Sequence, residues 1–142
     1  MTRGTDLTAD IKANLELINP AAGYYTDLKG VFELRAAKDN QPMPFALLAW
    51  QDDATEKRGL RDAQRLRSYA VQGVFPSEAA LADLEKFHFD VLRALGYGAR
   101  VFGRPINAVI VGDSAEIEPA IDGSTKTTIT ITLEARYTEA YA

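Results

Sequence analysis

The sequence predicts an α+β domain, a mainly antiparallel sheet of about five strands with two helices packed on one face. Three observations carry this prediction. In TTITITLEARYTEAY, residues 127–141, Ile129, Ile131, Leu133, Ala135 and Tyr137 alternate strictly with Thr128, Thr130, Thr132, Glu134 and Arg136. That is the period of a half-buried strand. Two other segments carry apolar residues at helical spacing, Leu7, Ile11, Leu15 and Ile18 in one and Leu81, Leu84, Val91, Leu92 and Leu95 in the other. The elements between them do not alternate as regular βαβ units would, so their order reads α-β-β-β-α-β-β.

The first helix takes Thr5 or Asp6 as its N-cap and closes before Pro20, whose ring cannot continue a helix. GYYTDLKGVFELR, from Gly23, is rich in aromatic and β-branched residues and predicts a strand, interrupted near Lys29 and Gly30. After the polar loop AAKDNQP, the apolar run PFALLAW reads as a strand covered on both faces, with Pro42 and Pro44 confining its beginning to an edge. The charged segment QDDATEKRGLRDAQ separates it from RLRSYAVQGVF, where Tyr69, Val71, Gly73 and Phe75 share one side of a third strand. Pro76 ends that strand, and Ser77 and Glu78 suit the start of the second helix, which Gly96 terminates. GYGARVFGRP then reads as a connector, NAVIVG as a short fourth strand, and DSAEIEPAIDGS as an acidic loop before the last strand.

A chain of 142 residues suits one domain, residues 1–142, with one core. The net charge of −4 argues against a dedicated nucleic-acid binder, which would carry a basic excess. The absence of cysteine removes thiolate nucleophiles and zinc ribbons, and fits a reducing compartment. The opening MTRGTDLTAD has no apolar signal region, and the longest apolar run, Phe45 to Trp50, is far too short to span a bilayer. No membrane association and no cofactor are expected.

Chemistry is sparse. His88, the single histidine, falls on or beside the apolar stripe of the second helix and reads as a helix residue with one local hydrogen bond. No accompanying ligand spacing supports a metal. Gly112-Asp113-Ser114 resembles the Gly-Asp-Ser of one hydrolase family, but Ser114 follows His88 instead of preceding it, and a turn is the simpler reading. The carboxylate pairs Glu116/Glu118 and Asp52/Asp53 read as solvated loops. Lys57, Arg58, Arg61, Arg65 and Arg67 form the only basic cluster, nearly cancelled by Asp52, Asp53, Glu56 and Asp62. A solvated loop, a contact with a neighbouring subunit and a local contact with DNA all remain open for it. With no nucleophile and base in evidence, the chain reads as one that assembles and is not an enzyme. The candidate interfaces are this cluster and the polar face of the last strand, Thr128, Thr130, Thr132, Glu134 and Arg136.

The layout as a whole resembles one family. The helix DLTADIKANLELI, then GYYTDLKGVFELR, PFALLAWQDD, the strand RLRSYAVQGVF before a helix, and the closing TITITLEARYTEAY follow one another as in phage tail terminator proteins, and cover most of the chain. The resemblance implies a virion protein at the head-proximal end of the tail, assembled in the host cytoplasm. It implies a homo-hexameric ring that docks on the last ring of the tail tube, stops its polymerisation and presents a surface to the head–tail connector protein. DNA would pass through such a ring without sequence-specific binding. No catalytic residue carries over. Head–tail connector and minor tail subunits look similar, and are the alternative.

Overall fold

The computed structural model describes residues 2–34, 40–96, 108–121 and 123–141. Helix α1 (Arg3–Leu15) is followed by a short 3-10 turn (Pro20–Ala22), then strands β1 (Val31–Glu33), β2 (Phe45–Arg58) and β3 (Asp62–Pro76), helix α2 (Leu81–Ala94), and strands β4 (Val109–Glu118) and β5 (Lys126–Ala140). One five-stranded sheet has the order β1-β2-β3-β5-β4. β1 runs parallel to β2 and every other pairing is antiparallel. The predicted α+β class, strand number and helix number are those observed.

Both helices lie on one face of the sheet. Thr8 of α1 hydrogen-bonds the Tyr69 hydroxyl at 2.7 Å, and Phe87 of α2 meets Phe75 edge-on at 5.6 Å between ring centres. Tyr69 and Phe75 belong to the same side of β3, the odd-numbered residues. That side continues across the sheet through Ala46 and Leu48 of β2 and Ile129, Ile131, Leu133, Ala135 and Tyr137 of β5, all buried with Leu7, Ile11, Leu15 and Ile18. The alternation read from the sequence is therefore the sheet's inner face. Fully burying one such aliphatic side chain contributes roughly 1.5–3 kcal/mol before entropy is counted.

At Gly73 the Phe87 ring of α2 lies directly against the backbone of β3. A Cβ there would lie 2.5 Å from the Phe87 ring, so the residue must be glycine for the helix to pack at this height. Gly73→Ala is expected to cost about 1–3 kcal/mol by overpacking; chemical denaturation would measure it, and an unchanged midpoint would mean that the ring moves freely.

Several element boundaries differ from those predicted. α1 starts a turn earlier, capped by Thr2, whose hydroxyl accepts the Thr5 amide at 3.0 Å. α2 starts at Leu81, with the Asp83 carboxylate accepting the Ala80 amide at 3.1 Å, so Ser77 and Glu78 precede it, and Leu81 itself is exposed. Of the described part of GYYTDLKGVFELR, only Val31–Glu33 is strand. PFALLAW is covered on both faces only at its beginning, since Trp50 is 49% exposed. Residues 51–58 and 62–64, predicted as loop, are the outer half of β2 and the first three residues of β3, and DSAEIE belongs to β4. Most of the predicted connector GYGARVFGRP, residues 97–105, and part of AAKDNQP lie outside the described residues.

Candidate functional site

The sheet has a second face, and among the described residues no helix or strand lies over it. Register defines its surface. Ala49, Ala70, Thr132 and Ser114 sit side by side on β2, β3, β5 and β4, a row of small side chains across four strands. Leu47, Gln72, Thr130 and Glu116 form the next row on one side, and Asp52, Ser68, Glu134 and Gly112 the next on the other. The result is a flat, mostly polar platform, suited to packing against another protein surface. Thr128, Thr130, Thr132, Glu134 and Arg136 all lie on it. β5 itself is not an edge, because it pairs with β3 on one side and β4 on the other; only its face is open.

On that platform Arg136 grips Glu56 of β2 through two hydrogen bonds, 2.7 Å from Nε and 3.1 Å from Nη2. The guanidinium holds the Glu56 carboxyl below its usual value. Both groups are solvated, so the pair adds little to stability. Arg136→Glu sets a second carboxylate beside Glu56. It is expected to weaken any assembly on this face while the thermal midpoint stays near that of the parent; loss of folding would make the strand purely internal.

The basic cluster is split by the fold. Arg65 and Arg67 turn inward and converge on Asp53 of β2, whose side chain is 8% exposed. Arg67 donates from Nε to Asp53 at 2.7 Å, from Nη1 to the Gly4 carbonyl at 3.0 Å and the Tyr69 hydroxyl at 3.1 Å, and from Nη2 to the Tyr137 hydroxyl at 3.0 Å. Tyr137 then donates to Asp53 at 2.6 Å. The Arg65 Nε also donates to Asp53, and its Nη1 reaches Thr55 at 2.9 Å. The Arg67 guanidinium additionally lies over the Trp50 ring, 4.6 Å from its centre. Arg67 ties the first turn of α1 to the sheet, while Arg65 binds Asp53 and Thr55 of β2, and both guanidinium groups are engaged within the chain. Glu139 of β5 completes that anchorage by accepting the Arg3 and Gly4 amides, each at 3.0 Å.

Burial alone would raise the Asp53 carboxyl, but the hydrogen bonds from Tyr137, Arg65 and Arg67 outweigh it and hold Asp53 below its usual value. Burial pushes the Tyr137 phenol well up, and Asp53 beside it pushes the same way. Tyr137 therefore stays a neutral donor across the physiological range. Asp53, read from the sequence as a solvated loop residue, is the centre of the most connected polar network among the described residues.

Lys57, Arg58 and Arg61 remain exposed at the tip of the β2–β3 hairpin. The turn is tight, with the Gly59 amide bonded to the Asp62 carbonyl at 2.9 Å, and it presents Leu60 at 98% exposure. A single exposed aliphatic side chain is ordinary in itself; this one stands at the point of the hairpin, between Arg58 and Arg61. Leu60 was invisible to a reading that took the segment for its charges.

The other sequence candidates resolve more simply. His88 Nε2 pairs with Asp113 Oδ2 of β4 at 2.9 Å, a partner 25 residues away and not a local one. Gly112-Asp113-Ser114 lies in β4 and not in a turn. Ser114 projects from the sheet face opposite Asp113 and His88, so the three do not converge. Glu116 and Glu118 are strand residues on the open platform. Among the described residues, no group of three metal-ligating side chains is brought together, and no helix is long and apolar enough to cross a membrane.

No family model and no curated protein matches the chain. Among solved structures it is similar to a chain of a particle described as the virion of native gene transfer agent (GTA) particle. The TM-score is 0.62 at 14% identity, and the match covers 93% of this chain and 94% of that one. At this identity the likeness is one of fold. Over 93% of its length, the chain thus shares its α+β architecture with a chain of a virion particle.

Proposed function

We propose that the protein is a structural virion component that forms a homo-hexameric ring on the end of a tail tube, halts its growth and offers a surface to the head–tail connector. The observation that carries this reading is the fold match to a virion chain over nearly the full length of both. Two features of the molecule support it. A ring of identical subunits needs two unlike contact patches on each, and the open platform and the hairpin tip are unlike in shape and charge. The polar chemistry is also engaged internally: Arg65, Arg67, Asp53 and Tyr137 satisfy one another.

The test is to add the purified protein to growing tail tubes and measure tube length by electron microscopy. A terminator shortens the tubes in proportion to its concentration and is found at one end of each. A connector binds finished tubes but leaves their length unchanged. A protein that stays monomeric at every concentration and ignores the tubes would sink both readings.

A further inference from the structure

We infer that the hairpin tip of one copy seats Leu60 in a groove at the far end of the next copy's sheet, with the tip cations set against the acidic rim of that groove. This deepens the ring reading and rests on it. The groove has a volume of about 370 Å³ and lies where β3 ends and α2 begins, floored by Pro44, Phe75 and Ala79. Glu78 and Asp83 stand on its rim with Asp27, which is paired to Lys29 at 2.6 Å. The one cation lining it, Lys86, is directed at the Tyr25 ring, 5.8 Å from its centre. The space would take a leucine and part of the turn that carries it.

Charge favours this pairing. Residues 57–62 hold Lys57, Arg58 and Arg61 against the single acid Asp62, whose carboxylate lies beside Gly59, so of the chain's net −4 the tip carries +2 and the remainder −6. A basic knob with an apolar point is thus presented by a body that is strongly acidic. Such complementarity steers encounter and fixes orientation, while burial of the central aliphatic residue supplies the anchor.

Geometry makes the contact intermolecular. The tip adjoins Asp62 and the groove includes Pro76, the two ends of the 15-residue β3, roughly 45 Å apart at 3.3 Å per residue. No tip reaches its own groove. Joining two different patches head to tail is the heterologous contact from which rings are built when the rotation closes.

The experiment uses the full chain, with Leu60→Asp to disable the tip and Glu78→Arg/Asp27→Arg to disable the groove, all at exposed positions that cap no helix, so that folding is kept. Native mass spectrometry across a dilution series reads assembly, and circular dichroism confirms the fold. Each variant alone is expected to need on the order of thirtyfold more protein to assemble, the effect of losing one buried anchor. Mixed, the two retain one good tip and one good groove and should pair one to one. If assembly occurs only on tail tubes, co-sedimentation with tubes scores the same variants. A parent oligomer that Leu60→Asp leaves unchanged, or a mixture that does not pair, overturns this seating and leaves the ring standing. A parent that neither assembles nor binds tubes overturns both.

Discussion

Asp53→Ala is expected to lower the stability of the folded chain by about 3–5 kcal/mol, because it strips two guanidinium groups, one of them largely buried, of their shared anion. For a chain of this length that is a fall of roughly 10–15 °C in the thermal midpoint. Arg67 is 9% exposed, so its charge would stay desolvated with only neutral partners, the Gly4 carbonyl and the hydroxyls of Tyr69 and Tyr137. Tyr137 loses the acceptor of its own proton. The damage spreads to α1, whose first turn is held to the sheet by Arg67. Amide exchange at Gly4 to Thr8 should therefore rise more than exchange in α2.

The same site gives stability a pH dependence with a definite sign. Asp53 titrates below its unfolded value of about 3.9, so its contribution is complete above that value and is lost as pH falls through the lower folded value. Urea midpoints of the parent and of Asp53→Asn should differ most near pH 6 and converge as pH falls toward about 2. A gap that is constant over this range would mean that the carboxylate's charge is not what stabilises the site.

β5 was legible in the sequence because its two faces meet two different media. Ile129 to Tyr137 press on the helices while Thr128 to Arg136 stay on the open platform, and that contrast is written as strict alternation. The outer half of β2 and the first three residues of β3 were not legible, and the reason is physical. They lie where one face is open and the other is filled by a polar network, so both faces carry charges and the period vanishes. What makes those charges compatible with a strand is their cross-strand partners: Arg136 for Glu56, and Arg65 and Arg67 for Asp53. These partners come from elsewhere in the chain, and no local pattern names them. β4 was cut short for a related reason, since six of its last residues, Asp113 to Glu118, are exposed on an edge strand. Of the candidate interface, the platform residues were found by alternation and the tip cations by composition, whereas Leu60 and the groove exist only once a turn and a fold bring them out.

Asp90→Ala tests how the groove is built. Asp90 sits in the middle of α2 at 0% exposure and accepts the backbone amides of Tyr25, at 3.1 Å, and Thr26, at 2.8 Å. A carboxylate buried this deeply is stable only because those amides and Arg93, 3.9 Å away, surround it. Its loss leaves two amides unsatisfied, one of them on the buried Thr26, at a cost of about 2–4 kcal/mol. Asp90→Asn, which keeps one acceptor, should fall between parent and alanine variant in urea denaturation. The segment so anchored, Tyr25 to Asp27, is also one wall of the groove proposed to receive Leu60. Asp90→Ala should consequently weaken assembly at temperatures well below its own melting, together with faster amide exchange at Tyr25 and Thr26. Assembly that survives this loosening would mean that the groove wall takes no part in the contact, and the anchorage would then serve the fold alone.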